Sequence, residues 1–572
     1  MKKALLISMV VTMTTLAKPA RLEPLNCFVG KIAKGALLYS NRGYVLNEPP
    51  QELVGMPYLV ADIEGGLEVK VIAGGSLTVL TPYDESPLSM ASILKAKGFV
   101  RRDDIEAFQP HGELEADRTR VWQKVMAAGE SFKLGKWAII AGMDPENQGI
   151  DLPPNLSPRL EALKGTDKEW YIFDILVNKP DYLVFIPKQP IAADLRDPAK
   201  PGDTYNDHFQ VIYKQETETL FAFWTQASRE ADIDQHIAFS KSLDKGKTWT
   251  DPVILAGSPN KKNPGLLASW QQPMLAKSGR LYCLWNQQTT SRGPHCGQMF
   301  GAFSDDEGET WSAPKMVPMN ERMDLDNPNP LIPPMWCNWQ RPLRLGQDGK
   351  FFVGLSRHGK APYDEKFGCK VEFLQFENID DNPNIEDIKL THLSTNRAAL
   401  QPPSQAGKYE PAVEEAAIVK LPDGRLFTLL RSSLGSPVWS QSRDNGKTWD
   451  PVKTLKDAAG NPYKHPRSPC PIYDWKGNEA ASGTYFALVH NTFNPEEKTA
   501  YQHRGPLFLI AGTFDPDGEQ PIRFKEPKLF APRKGGNSFY TSYTIVDGKG
   551  ILWFPDKKFY LLGREVDSSW FE

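Results

Sequence analysis

The sequence predicts an all-β protein, a six-bladed β-propeller preceded by a small β-sandwich-like domain. Three observations carry this expectation: an eight-residue hairpin motif written three times, a two-strand pattern recurring at a near-constant step, and a composition rich in turn formers. The 572 residues include 48 Pro and 44 Gly, with 11% aromatics. That composition suits a loop-rich β protein with room for more than one domain.

The first twenty residues have the pattern of a secretory signal. Lys2 and Lys3 lead an apolar run from Ala4 to Val11 that continues to Leu16, with small residues at Ala17 and Ala20 as exits. Export to the periplasm or beyond follows as an expectation, and no Cys stands directly after the run to take a lipid anchor. From Arg21 to Lys168 lies the accessory β-rich domain. Leu67–Thr81 and Glu130–Gly142 read as strands, and Pro82–Phe108 as a loop with a short helix. Carbohydrate binding and simple packing are both open for it. Residues 169–572 are assigned to the propeller.

The motif is Ser-x-Asp-x-Gly-x-Thr-Trp, at Ser242–Trp249, Ser304–Trp311 and Ser442–Trp449. Asp244, Asp306 and Asp444 can accept turn amides, Gly246, Gly308 and Gly446 permit positive φ, and the Trp can pack beneath. Ser304 follows Ser242 by 62 residues and Ser442 follows Ser304 by 138, so a unit without the motif stands between the last two. A polar start, an apolar strand, a Gly turn and a second apolar strand recur from His208, Trp270, Trp339, Glu414 and Tyr540. A weaker copy ends at His490, and strands from about Trp170 to Pro190 are expected to close the last unit.

Formal net charge is −3, which leaves no basic stripe for nucleic acid, and no apolar stretch is long enough to span a membrane. Cys27, Cys283, Cys296, Cys337, Cys369 and Cys470 are scattered without zinc-like spacing. They read as core thiols with at most one disulfide, and neither a metal nor a cofactor is expected.

In a propeller the first polar residues of the inner strands converge on one pocket. These are His208 and Gln210, Gln271 and Gln272, Gln340 and Arg341, Glu414 and Glu415, and Tyr540, a set suited to a polyhydroxylated ligand. With these residues and the three motifs, the chain resembles the sialidase (neuraminidase) superfamily of Asp-box, or BNR-repeat, propellers from about Tyr205 to Glu572. The resemblance implies that Glu415, before the Leu421–Gly424 turn, is the base of a nucleophilic Tyr540. It also implies that Arg431 and Arg504 bind a substrate carboxylate. Tyr543 is the alternative nucleophile, or a buried aromatic. A sialic acid carries a carboxylate on its anomeric carbon. Arginine forks can clamp that anion, and a neutral phenol approaches where a carboxylate would be repelled.

The resemblance weakens toward the N-terminus. His208 stands where the family has its first arginine and lacks the planar fork. Either Arg292 or Arg341 reaches in, or the substrate differs. On the loop Arg229–His236 the family's acid maps to Asp232, with Asp234 in reserve, and His236 allows a His-assisted variant. Arg292 and His295 lie on a loop that serves either substrate or a turn, and Arg357 and His358 are a candidate pocket pair. Trp270, Trp285, Trp336 and Trp339 read as a sugar-stacking wall or as core. The implied function is a secreted exo-glycosidase releasing terminal sialic acid, or a related acidic 2-keto sugar, from sialylated or other acidic glycans. Another propeller glycoside hydrolase or a uronate lyase using His, and a non-catalytic glycan-binding propeller, are the alternatives.

Overall fold

The computed structural model describes residues 18–572 apart from 26, 41, 64, 83–85, 88, 112–117, 147, 149–151, 189–201, 262–264, 290–294, 320, 360–368, 402–412, 493–503 and 534–539. Arg292 and most of the expected secretory segment fall outside the described residues. The chain divides into two units, Met1–Asp174 and Ile175–Glu572.

In the first unit a six-stranded antiparallel sheet runs Phe28–Lys31, Pro57–Val60, Ile139–Ala141, Gly75–Pro82, Thr119–Met126 and Val100–Arg101. A three-stranded sheet joins Arg21–Leu22, Glu68–Ala73 and Ser131–Lys133. Alternation decides which side is core: Val69 and Val71 are buried while Glu68 and Lys70 are exposed. With Leu22, Leu77, Val79, Phe132 and Ile140 they make one apolar cluster. Ser89 caps the helix Met90–Ala96 by accepting from the Ser92 amide at 3.2 Å, inside the stretch expected to hold a short helix.

The second unit is a succession of antiparallel sheets. The first is Tyr205–Lys214, Thr219–Ala227, His236–Ser242 and Val253–Ala256; the second is Ala268–Leu275, Leu281–Gln288, Gly297–Ser304 and Lys315–Met316. The third is Trp336–Cys337, Phe351–His358, Cys369–Phe376 and Leu390–Leu393; the fourth is Val413–Lys420, Leu426–Ser432, Val438–Ser442 and Lys453–Thr454. Ile472–Asp474, Thr484–Val489, Leu507–Phe514 and Ile522–Phe524 form the fifth, with Lys528–Ala531 also paired to Leu507–Phe514. Ser542–Val546, Lys549–Asp556 and Tyr560–Val566 form the sixth, completed by Tyr182–Phe185.

The six-bladed propeller expected from the sequence is corrected by this strand pairing. The protein is all-β with many four-stranded antiparallel sheets, each ending in its own edges, and among the described residues no sheet is closed into a barrel or propeller. The recurring hairpin that suggested closure is a local property of each sheet and says nothing of a ladder beyond it. A second correction concerns Trp170–Leu176, which is helical rather than a strand. Its short apolar run, broken only by Asp174, carries no period that separates a buried helix from a buried strand.

The Ser-x-Asp hairpins have the local chemistry expected of them. In the copy at 304–311, Asp306 Oδ1 accepts from the Thr310 amide at 2.8 Å and Oδ2 from the Thr310 hydroxyl at 2.5 Å, while Ser304 Oγ accepts from the Gly308 amide at 2.8 Å. These bonds, the Thr310 hydroxyl first, hold the Asp306 carboxyl at about 2. Each motif also locks its sheet to a neighbour. A side chain at Gly308 would overlap the Phe239 ring of the first sheet, and one at Gly446 the Phe352 ring of the third.

Candidate functional site

The first strands of the first, second and fourth sheets share one irregularity. Register slips between Asp207 and Gln210, Ser269 and Gln272, and Glu414 and Ala417. Within the slips His208, Trp270 and Glu415 take left-handed φ of 55°, 54° and 55°. A non-glycine residue there costs about 1–2 kcal/mol, and a bulge re-aims its side chain. All three line one cavity of about 580 Å³. Hydrogen bonds hold the bulges: the Glu415 amide donates to Ser356 Oγ at 2.7 Å, the Trp270 amide to Thr225 Oγ1 at 3.2 Å, and Gln271 Nε2 to the His208 carbonyl.

Tyr540 enters from the start of the sixth sheet, where its carbonyl accepts from the Phe209 amide at 3.1 Å. Its hydroxyl donates to Glu415 Oε1 at 2.9 Å. One Arg431 Nη1 donates to Glu415 Oε2 at 2.8 Å and to the Tyr540 oxygen at 3.1 Å. All three side chains are buried. Burial, with the Glu415 charge, pushes the Tyr540 phenol well above its ordinary value against the opposing pull of Arg431 and Arg504. The arrangement is a neutral hydroxyl paired to a carboxylate that can take its proton, beside a cation that can stabilise the oxygen left behind.

Around this group stand Arg504, whose Nη2 donates to the Arg467 carbonyl at 3.0 Å, and Arg467, whose guanidinium pairs with Glu414 at 2.6 Å. Glu414 also meets Arg431 Nε at 3.2 Å. Burial raises its carboxyl, but Arg431 and Arg467 override that and hold it well below the carboxylate range. On the opposite wall Trp270 Nε1 lies 3.1 Å from His208 Nε2, and the His208 ring packs edge-on to Tyr540 at 4.5 Å. Burial lowers His208 to about 4, leaving it a neutral imidazole near pH 7.

Of the residues singled out from the sequence, His208, Glu415, Arg431, Arg504 and Tyr540 meet at the cavity, with Trp270, His295, His358 and Glu414. Others are struts. Gln210 Nε2 donates to the Trp339 carbonyl at 2.7 Å, Gln271 Oε1 accepts from the Thr225 hydroxyl at 3.0 Å, and Gln340 Oε1 accepts from the Ile418 amide at 3.1 Å. Gln272 Nε2 donates to the Asn338 carbonyl at 3.2 Å, and Arg341 Nη1 to the Pro342 carbonyl at 3.3 Å. His236 is buried between the Asp234 carbonyl, 2.7 Å away, and Gln226, 3.1 Å away. Asp232 pairs with Arg229 and Lys261 at 3.0 and 3.1 Å, and Asp234 receives the Ser228 amide. None of these lines the cavity. Tyr543 hydrogen-bonds the Trp475 carbonyl at 2.9 Å, Arg357 is buried against Asp326 and Glu372, and Trp285, Trp336 and Trp339 are core.

The BNR repeat-like domain family matches residues 218–552, more than half of the chain. The chain belongs to that family. The BNR-repeat character that the hairpin motifs suggested is thereby shown. No curated protein matches the chain. Among solved structures it is similar to the NanB sialidase of Streptococcus pneumoniae, with 10% identity over 93% of this chain and 86% of that one and a TM-score of 0.48. The intramolecular trans-sialidase of Ruminococcus gnavus shows 14% identity over 68% and 98% at 0.45, and a Dyadobacter fermentans protein of unknown function 13% over 67% and 97% at 0.44.

Sequence reasoning missed several residues that this BNR repeat-like chain brings to its cavity. Glu230, rather than Asp232, is the carboxylate the 229–236 loop places there, 2.9 Å from Lys558. Burial raises the Glu230 carboxyl, and Lys558 more than reverses it, leaving it below the ordinary value. Lys558 also meets Asp207 at 2.9 Å. Arg467 stands just before the weak fifth hairpin, where a cation entering an inner strand was a usable signal. Lys558 sits in the turn between Lys549–Asp556 and Tyr560–Val566 and gave none. All six cysteines are free thiols. Two groups among the described residues bring metal-capable atoms within 4.8 Å of one another: His295, Cys337 and His358, and His358, Cys369 and Glu414.

Proposed function

We propose that the protein is an exported glycoside hydrolase that removes a terminal sialic acid, or a closely related acidic 2-keto sugar, from glycans. The observation carrying this reading is the Tyr540 hydroxyl, buried at the cavity and bonded to both Glu415 and Arg431. Glu415 takes the phenol proton as the oxygen attacks the anomeric carbon, and Arg431 stabilises the oxygen as its proton leaves. A covalent sugar–tyrosine intermediate follows, which water then hydrolyses, with retention at the anomeric carbon. Arg504 and Arg467 offer the sugar carboxylate its cations. Glu230 is placed to protonate the leaving oxygen once a bound sugar draws Lys558 away from it. Incubation with an anomerically activated, ring-fluorinated sialic acid should add one sugar mass to the peptide containing Tyr540. No release of sialic acid from sialyllactose or mucin over a range of pH and linkages would sink the assignment.

A second reading draws on His208. A neutral imidazole beside Tyr540, where an arginine was expected, suits the abstraction of a proton next to a uronate carboxylate, with elimination in place of hydrolysis. New ultraviolet absorbance from an unsaturated uronate would select it. Reducing sugar released without that absorbance would reject it.

A further inference from the structure

One wall of the cavity gathers three side chains from separate elements. His295 precedes the strand Gly297–Ser304, Cys337 ends Trp336–Cys337, and His358 ends Phe351–His358. All three line the cavity, and one ligand atom from each lies within 4.8 Å of the other two. Cys337 Sγ is 3.3 Å from His358 Nε2. A sulfur and a nitrogen bound to one tetrahedral zinc at ordinary bond lengths stand about 3.5 Å apart. That pair needs to open by only a few tenths of an ångström to admit an ion. His295, half-buried and stacked on Trp270 with ring centroids 4.5 Å apart, closes the rest by sliding along the indole face.

We propose that His295, Cys337 and His358 form a three-ligand site for a borderline-soft transition-metal ion, zinc(II) foremost, with its fourth position open to the cavity. Two imidazoles and one sulfur are the donors of such ions, whereas calcium and magnesium require oxygens. The nearby guanidiniums of Arg431 and Arg467 oppose a cation, but both are paired with Glu414, and Arg431 also with Glu415, so two carboxylates stand against the two cations. That pairing also decides between the two ligand groups. The alternative set of His358, Cys369 and Glu414 shares its histidine with the first and would have to take Glu414 from two arginines. On binding, the Cys337 thiol gives its proton to solvent and the imidazoles coordinate through unprotonated nitrogens. The open position then takes an anionic oxygen of the ligand, a charge His208 does not supply in place of the expected arginine. This assignment goes beyond the Tyr540 chemistry and does not depend on it.

The test uses the full chain, stripped with a chelator and titrated with cobalt(II) as a spectroscopic stand-in for zinc. One equivalent should bring an intense thiolate-to-cobalt band in the near ultraviolet, and zinc should displace the cobalt one for one. Cys337→Ser should abolish the band while Cys470→Ser keeps it. His358→Ala and the half-buried His295→Ala should each weaken zinc binding by more than the roughly 10–100-fold that loss of an outer partner costs. Circular dichroism reports whether each variant is folded. Tyr540→Phe should bind metal as the wild type does even where turnover is lost, so the two readings fail separately. Absence of the thiolate band from folded wild type, or a band that survives Cys337→Ser, overturns the site.

Discussion

Tyr540 and Glu415 meet because two unrelated local features aim them at each other. Glu415 sits in a left-handed bulge at φ 55°, and Tyr540 is fixed by the backbone bond from Phe209. Tyr540→Phe keeps shape and packing but removes the attacking oxygen, so turnover should fall at least about a thousandfold with little change in thermal midpoint. Steady-state kinetics beside a melting curve checks both halves. Activity within threefold of wild type would remove the tyrosine from the mechanism. Arg431→Lys tests the neighbour differently. One Arg431 nitrogen serves both Glu415 and Tyr540 while Nε faces Glu414, and an ammonium has no fork to reproduce that geometry. It should lower kcat far more than it raises KM, because the groups it joins are the reacting pair.

At the scale of the element, the Ser-x-Asp hairpin is both a local fold and a clamp between sheets, and the two contributions separate by substitution. Gly308 has φ 82° and packs on Phe239, whereas Gly424 has φ 88° and open space, with nothing within 4 Å of where a methyl would stand. Gly424→Ala should therefore cost only the backbone term, about 1–2 kcal/mol. Gly308→Ala adds overlap with the ring, a further 1–3 kcal/mol or so, and denaturant unfolding of the two variants measures the difference. Equal losses would show that the hairpin does not clamp. The Asp306 carboxyl adds a pH dependence. Its folded value, about 2, lies below the unfolded one near 3.9, so its contribution is complete above about pH 4 and is lost as pH falls through 2. Asp306→Asn should lose stability at pH 6 and narrow its gap from wild type as pH falls below about 4.

Across the molecule, buried histidines set the behaviour in mild acid. Burial holds His208 and His465 at about 4 in the folded chain, against roughly 6.5 when unfolded. Between these values the unfolded chain binds protons that the native chain does not. Stability should decline as pH falls from about 6.5 toward 4, by up to about 1.4 kcal/mol per pH unit for each histidine. Urea unfolding at pH 7 and pH 5 measures it. A flat profile over that window would show these imidazoles are not held neutral. The sequence by itself determined the all-β class and the three hairpins, because turn chemistry and two-residue alternation are properties of adjacent residues, whereas only the family resemblance joined Glu415 to Tyr540 across 125 residues. It also indicated Arg431 and Arg504. What it left open required distance in space. Whether Gln210, Gln271 and Gln340 faced a ligand or the groups of neighbouring strands depended on which sheet edge stood opposite. That Glu230 and not Asp232 reaches the cavity was decided by Lys558 on one side and Lys261 on the other, far apart in sequence. Hairpin repeats enumerated the sheets but could not say whether any ladder closes, since closure belongs to edges and not to turns. His295, Cys337 and His358 have no recognisable spacing, and only the packing of three elements brings their nitrogens and sulfur within reach of one ion.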